Sequence, residues 1–304
     1  MAAPFSVLAT LVSSVFAVAL LRRWWGARRS RALLWWGLSI GMFAVASLML
    51  AVGALGTWTS ASWRTFYLFG AVLNVPWLAL GSVTVNRRAP IVERITGAGA
   101  LVVGLLFLLP ALDGSELALP GAILGIGWGL ALLVAGPSAL EPLSIALVLA
   151  FTLLALAQVP GAVLSAPLPS DAMPEGRELF PLHVRGLAVG GNAVGAVMVI
   201  VSAAASAVNL AWGKPPRGAL ARARAQAERG LTDVVARWLF QGRRGVVTTV
   251  NFVRGNLLIA AGVTVAGAGG AIGGIEGHSV GLGVGVTLMY LGFSITTRPV
   301  GEAG

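Results

Sequence analysis

Few side chains in this sequence could do chemistry. His183 follows an acidic stretch holding Glu175 and Glu178, and His278 follows Glu276. Imidazoles and carboxylates together suit a divalent metal, but in loops such groups are ordinarily just solvated, so no metal site is predicted. Haem needs histidines projecting from helices into a bundle core, which neither position offers. There is no cysteine, which removes disulfides, thiolate metal sites and cysteine nucleophiles. Phosphate-loop, HExxH and GxSxG patterns are missing, as are paired Asp-rich motifs and a paired-glutamate protease motif. No catalytic residue is predicted, and the chain is expected to be non-enzymatic. One enzymatic alternative remains, a lipid-linked activity built on Glu175, Arg177 and Glu178.

A second group is neutral. Asn74 and Pro76 stand in the run Ser62-Trp63-Arg64-Thr65-Phe66-Tyr67-Leu68-Phe69-Gly70-Ala71-Val72-Leu73-Asn74-Val75-Pro76-Trp77, and Asn192 and Asn209 in a later apolar run. Pro76 frees a carbonyl about one turn earlier, and Asn74 is expected to satisfy a neighbouring backbone group. That makes a kink held by interhelical hydrogen bonds or, in a sharper reading, a cavity lined by Asn74, Pro76 and Asn192. Small residues form a third group, with Gly269, Gly273, Gly277, Gly281 and Gly285 at four-residue spacing. Such spacing lets helix backbones approach closely, within a hairpin or at a subunit interface.

The elements that must carry these residues are apolar helices. Of 304 residues, 57% are hydrophobic and 11% charged, against about 25% charged in soluble domains. Apolar runs of about 18 residues or more read as transmembrane helices. Helices are predicted near 4–21, 33–56, 65–85, 95–111, 119–136, 143–160, 186–212, 256–275 and 279–297. The first and the 95–111 stretch, ending at Pro110, are short for a span, and Pro142 is placed in the first turn of its helix. The fold class is an all-α polytopic membrane protein of about nine transmembrane helices, seven plus a Gly-rich hairpin, with a re-entrant hairpin as the alternative. Three regions follow: a seven-helix bundle over 1–212, a basic segment over 213–255, and the Gly-rich hairpin and tail over 256–304.

Charge sets the orientation. All basic residues except Arg64, Arg177 and Arg185 fall on one side of a nine-span arrangement, and Asp113, Glu116, Asp171, Glu175, Glu178 and Glu276 fall on the other. Positive residues favour the cytoplasm, so the N-terminus is expected outside and the C-terminus inside, in a bacterial cytoplasmic membrane. The predicted helix cores hold essentially no ionisable group, which argues against ion-coupled transport. Glu141 is expected near a helix N-terminus, stabilised by the dipole. Trp24, Trp25, Trp35, Trp36, Trp58, Trp63 and Trp212 lie near helix ends, where they are expected to anchor in headgroups.

Within 213–255, the stretch 218–229 is an arginine-faced helix former, followed by a second short helix bearing Arg237 and Trp238. With Arg222, Arg224 and Arg229 these are expected to lie on anionic lipid. The net charge of +10 is assigned to that surface, and nucleic acid is not an expected partner. Other membrane subunits or further copies of the chain are.

The run from Trp63 to Trp77 resembles the third helix of microbial rhodopsins in its outer Arg and central Pro. Retinal would need a lysine midway along the seventh helix. The single lysine, Lys214, lies about 22 Å beyond that level at about 1.5 Å per residue, so retinal is rejected. "WRTFYLFGAVLNVPWLALGS", "MPEGREL" and the Gly-rich final hairpin resemble a group of bacterial polytopic membrane proteins with no assigned activity, which implies a fold and no catalytic residue. No cofactor is predicted. A groove for a lipophilic pigment or quinone would carry the same residues as a lipid-facing surface, so that class stays open. The function expected is an accessory or scaffolding subunit of a larger membrane complex, with a pathway for a small neutral or lipophilic solute as the alternative.

Overall fold

A computed structural model describes residues 2–26, 31–56, 58–86, 89–169, 174–212, 249–271 and 274–296. The described residues are helical with no strand. We number the helices α1 (Ala2–Gly26), α2 (Arg31–Leu55), α3 (Ser60–Asn86), α4 (Pro90–Leu112), α5 (Leu119–Val134), α6 (Pro137–Gln158), α7 (Gly176–Leu179), α8 (Leu182–Trp212), α9 (Thr249–Ala271) and α10 (Gly274–Thr296). Among the described residues, six stretches are long and apolar enough to cross a membrane: Pro4–Gly26, Arg31–Leu55, Ser60–Asn86, Pro90–Leu112, Ser138–Gln158 and Leu182–Ser206. Three shorter apolar stretches, Leu119–Val134, Leu257–Ala266 and Val280–Ile295, accompany them.

Several boundaries differ from expectation. Helix α4 begins at Pro90 rather than 95 and runs past Pro110 to Leu112, so it is not short; α5, with 16 residues, is. Pro90 supplies the preset φ of a first helical turn, and the helix runs through Glu93 and Arg94 because a charge does not stop a helix that has neighbours to pack on. Pro137, not Pro142, opens α6, and Pro142 lies inside it. The segment 161–185, expected on the outer side, is not merely a loop, since it contains α7.

Six helices close a circuit: α1 packs on α2, α2 on α3, α3 on α8, α8 on α9, α9 on α10, and α10 back on α1. Phe16 of α1 and Trp36 of α2 both meet Phe293 of α10, with ring centroids 5.5 and 4.3 Å apart. The α4–α5 pair lies against α8, and α6 lies against α3 and α5. Glycine permits the closest crossings. A Cβ on Gly285 would sit 2.6 Å from the Gly262 carbonyl oxygen, and one on Gly292 2.5 Å from that of Gly255.

Tryptophan follows two rules here. Trp25 is largely exposed, as an anchor would be. Trp36, Trp58 and Trp63 are buried, so these three are core rather than headgroup anchors. Trp58, Trp63, Phe66, Tyr67 and Phe180 form one aromatic cluster at the start of α3. The helix start beneath it is fixed by a capping box: the Thr59 hydroxyl accepts from the Ser62 N–H, and the Ser62 hydroxyl accepts from the Thr59 N–H.

Candidate functional site

The centre of α3 departs from α-helical geometry. Tyr67–Leu73 forms a π-helical turn, and α-helix resumes at Asn74. Such turns often mark functional positions. Pro76, three residues past the turn, has no N–H for the carbonyl a turn earlier, which is Ala71 in π register and Val72 in α register. A buried carbonyl in an apolar setting needs another donor.

Asn192 of α8 supplies it, its Nδ2 donating to the Ala71 carbonyl at 2.8 Å. The donor is thus on another helix, whereas the sequence suggests a bond from Asn74 to a neighbouring backbone group. From the other side, the Ser39 hydroxyl of α2 donates to the Asn74 carbonyl at 2.7 Å. Gly191 and Gly195 let α8 come this close, since a Cβ on the first would meet the Val72 carbonyl and one on the second would meet Val75. Helices α2 and α8 thus converge on the stretch of α3 from Ala71 to Val75. Asn192 meets α3 at Ala71, in the stretch that leads into Asn74 and Pro76, while Ser39 was missed because its partner is a backbone atom on another helix.

The asparagine side chains are not fully used. Oδ1 of Asn74, which is 8% exposed, and Oδ1 of Asn192 are both buried without a hydrogen-bond partner. Nearby polar groups close on one another. Trp77 Nε1 donates to Thr152 Oγ1 at 3.1 Å, Trp128 Nε1 to Ser144 Oγ at 3.0 Å, and Asn86 Nδ2 to Ser202 Oγ at 2.7 Å.

The charged positions are more structural than the sequence implied. Glu141 lies in the second turn of α6 and is buried, and Arg31 of α2 reaches it at 3.4 Å. An interhelical ion pair therefore joins whatever the helix dipole contributes. Arg64 donates from Nη2 to the Ala162 carbonyl at 2.8 Å and from Nη1 to the Pro160 carbonyl, placing a cation at the C-terminal end of α6, where the dipole favours one. Glu175 and Glu178 both pair with Arg177 at exposed positions, at 2.5 and 4.0 Å. His183 pairs with Glu116 at 3.9 Å beside an open depression of about 550 Å³ that Gln158, Ser165 and Pro181 help to line. No group of three metal-ligating side chains occurs among the described residues.

A buried ionisable group does stand in the first turn of α4. Glu93 lies within the apolar stretch of α4 and is 8% exposed. Pro90 was the signal that would have found it, because a proline at the first helical position puts residue 93 inside the helix.

Of the glycine series, Gly285 packs on Gly262 in the α9–α10 hairpin and Gly281 is buried. Gly273 lies outside the described residues, as do the surroundings of Gly269 and Gly277 and the side chains of His278 and Asn209. Lys214, Arg222, Arg224, Arg229, Arg237 and Trp238 also lie outside the described residues. No known protein family, curated protein or solved structure matches the chain. The class that stands is a protein whose described residues are helical, six of the helices among them being long and apolar enough to span a membrane.

Proposed function

We propose that the chain is a nine-span, N-out/C-in protein of a bacterial cytoplasmic membrane. It acts by contact, as an accessory or scaffolding subunit of a larger membrane assembly. The supporting observation is how the polar groups inside the bundle are spent. Asn192, Ser39, Trp77, Trp128 and Asn86 each tie one helix to another, as polar side chains do when they hold helices together in lipid. The charge asymmetry favours the orientation, and the arginines of 213–255 suit an anionic lipid surface. The test is purification from native membrane in mild detergent, with mass spectrometry and an absorption spectrum on one sample. Stoichiometric partner subunits are the expected result. A pure, colourless protein that moves solute by itself would overturn the proposal.

A second reading is favoured by the unpartnered Oδ1 atoms of Asn74 and Asn192 beside the π-helical turn. They suit a pathway for a small neutral or lipophilic solute able to donate a hydrogen bond. Flux into proteoliposomes that falls in Asn74→Leu would support it, and flux unchanged by that substitution would remove the site.

A further inference from the structure

Helix α4 carries a second pair of unpartnered polar atoms, distinct from the asparagines. Gly97 of α4 faces α5, where a Cβ would meet Leu132 at 2.7 Å, and Gly104 faces Gly125 of the same helix. Gly99 faces Val197 and Val201 of α8. At about 100° per residue, Glu93, Thr96 and Ala100 fall in the sector between these two faces. All three are buried, with Thr96 only 2% exposed. They line the junction of α4, α5 and α8.

Two atoms there are unsatisfied, Glu93 Oε1 and Thr96 Oγ1. The hydroxyls of Ser13, Ser82, Thr84 and Thr152 each donate to the carbonyl four residues back. Thr96 makes no such bond. Residues one turn apart are neighbours on a helix surface, so the carboxyl and the hydroxyl face the same junction.

Among the described residues, charged groups nearby do not complete it. Arg94 is on the exposed side of α4, and α5 has no ionisable residue. In α8 the ionisable residues are His183 and Arg185, at the opposite end of that helix from Val197 and Val201. Arg31 is spent on Glu141, and α3 ends at Asn86, which bonds Ser202. Arg87 and Arg88 lie outside the described residues. A buried carboxylate oxygen and a buried hydroxyl oxygen, both offering lone pairs without a hydrogen-bond partner, call for a positive partner, and oxygen donors suit a proton or a hard alkali ion.

We propose that Glu93 and Thr96 form a binding site for a monovalent cation at the junction of α4, α5 and α8. This rests on neither functional reading above. The full chain in lipid bilayers is examined in two ways. Infrared spectra at neutral pH look for a carboxylic C=O band, and thermal unfolding compares sodium chloride with choline chloride. A carboxylic band lost in Glu93→Gln and kept in Glu141→Gln identifies a bound proton. A melting temperature higher in sodium than in choline, with the difference lost in Glu93→Gln, identifies an alkali ion. Thr96→Val keeps the side-chain shape, and it should shift the band or shrink the sodium effect. Absence of both signals in the unaltered protein, or signals untouched by Thr96→Val, overturns the site.

Discussion

The α3–α8 crossing and the α9–α10 hairpin both bring backbones into contact, and at the first the contact centres on side-chain hydrogen bonds to an interrupted helix. In the hairpin, Gly262 meets Gly285 and Gly255 meets Gly292, and the hydroxyls of Thr264 and Thr287 bond within their own helices. At the crossing, Gly191 and Gly195 provide the same closeness, and Asn192 and Ser39 add donors aimed at α3 backbone. The difference follows from helix integrity. An unbroken helix satisfies its own backbone and needs only room. A helix interrupted by a π turn and a proline releases a carbonyl that a neighbour must take up.

The comparison can be broken most forcefully at the hairpin. Gly285→Leu forces atoms into the space of the Gly262 carbonyl and is expected to destabilise by about 3 kcal/mol, read as a lower melting temperature and a broadened size-exclusion profile. A well-folded variant would mean that the hairpin closeness is not needed. Asn192→Leu should cost less, about 1–2 kcal/mol, by orphaning the Ala71 carbonyl. Pro76→Ala sharpens the point because it restores an N–H. In the double-mutant cycle, Asn192→Leu should lose at least about 0.5 kcal/mol of its effect in the Pro76→Ala background. Strict additivity would show that Asn192 is not there to compensate the proline. Ser39→Ala is expected to cost about 0.6 kcal/mol, since the Asn74 carbonyl lies where α-helical geometry has resumed. Smallest is Arg31→Gln. Arg31 is largely exposed, so an effect of a few tenths of a kcal/mol that fades as salt rises is expected.

How much of this was legible in the sequence depended on whether the cause was local. The apolar stretches were, because a helix in lipid needs an unbroken run of apolar residues. The proline break and the two asparagines that converge there were also marked, since polar residues are rare in such runs. Which asparagine fills the gap was not, because Asn192 is remote from Ala71 in sequence and the contact depends on how α8 packs. Glu93 escaped because the start of α4 was drawn at its charges, although a helix continues past a charge while its other faces are covered. Trp36, Trp58 and Trp63 were placed at helix ends correctly, but a helix end can be buried by a neighbouring helix or by a connecting segment. The stretch around Gly176, which packs on Tyr67, is such a segment.

The circuit that brings Phe16 of α1 against Phe293 of α10 sets an order in time. At roughly 5–20 residues per second, the ribosome needs on the order of a quarter of a minute to a minute to make the stretch between them. For that interval the face of α1 that Phe293 will cover must rest against lipid or a borrowed neighbour. The bundle can close only after the hairpin is made, so an interruption anywhere in that stretch would leave the first helix without its final partner.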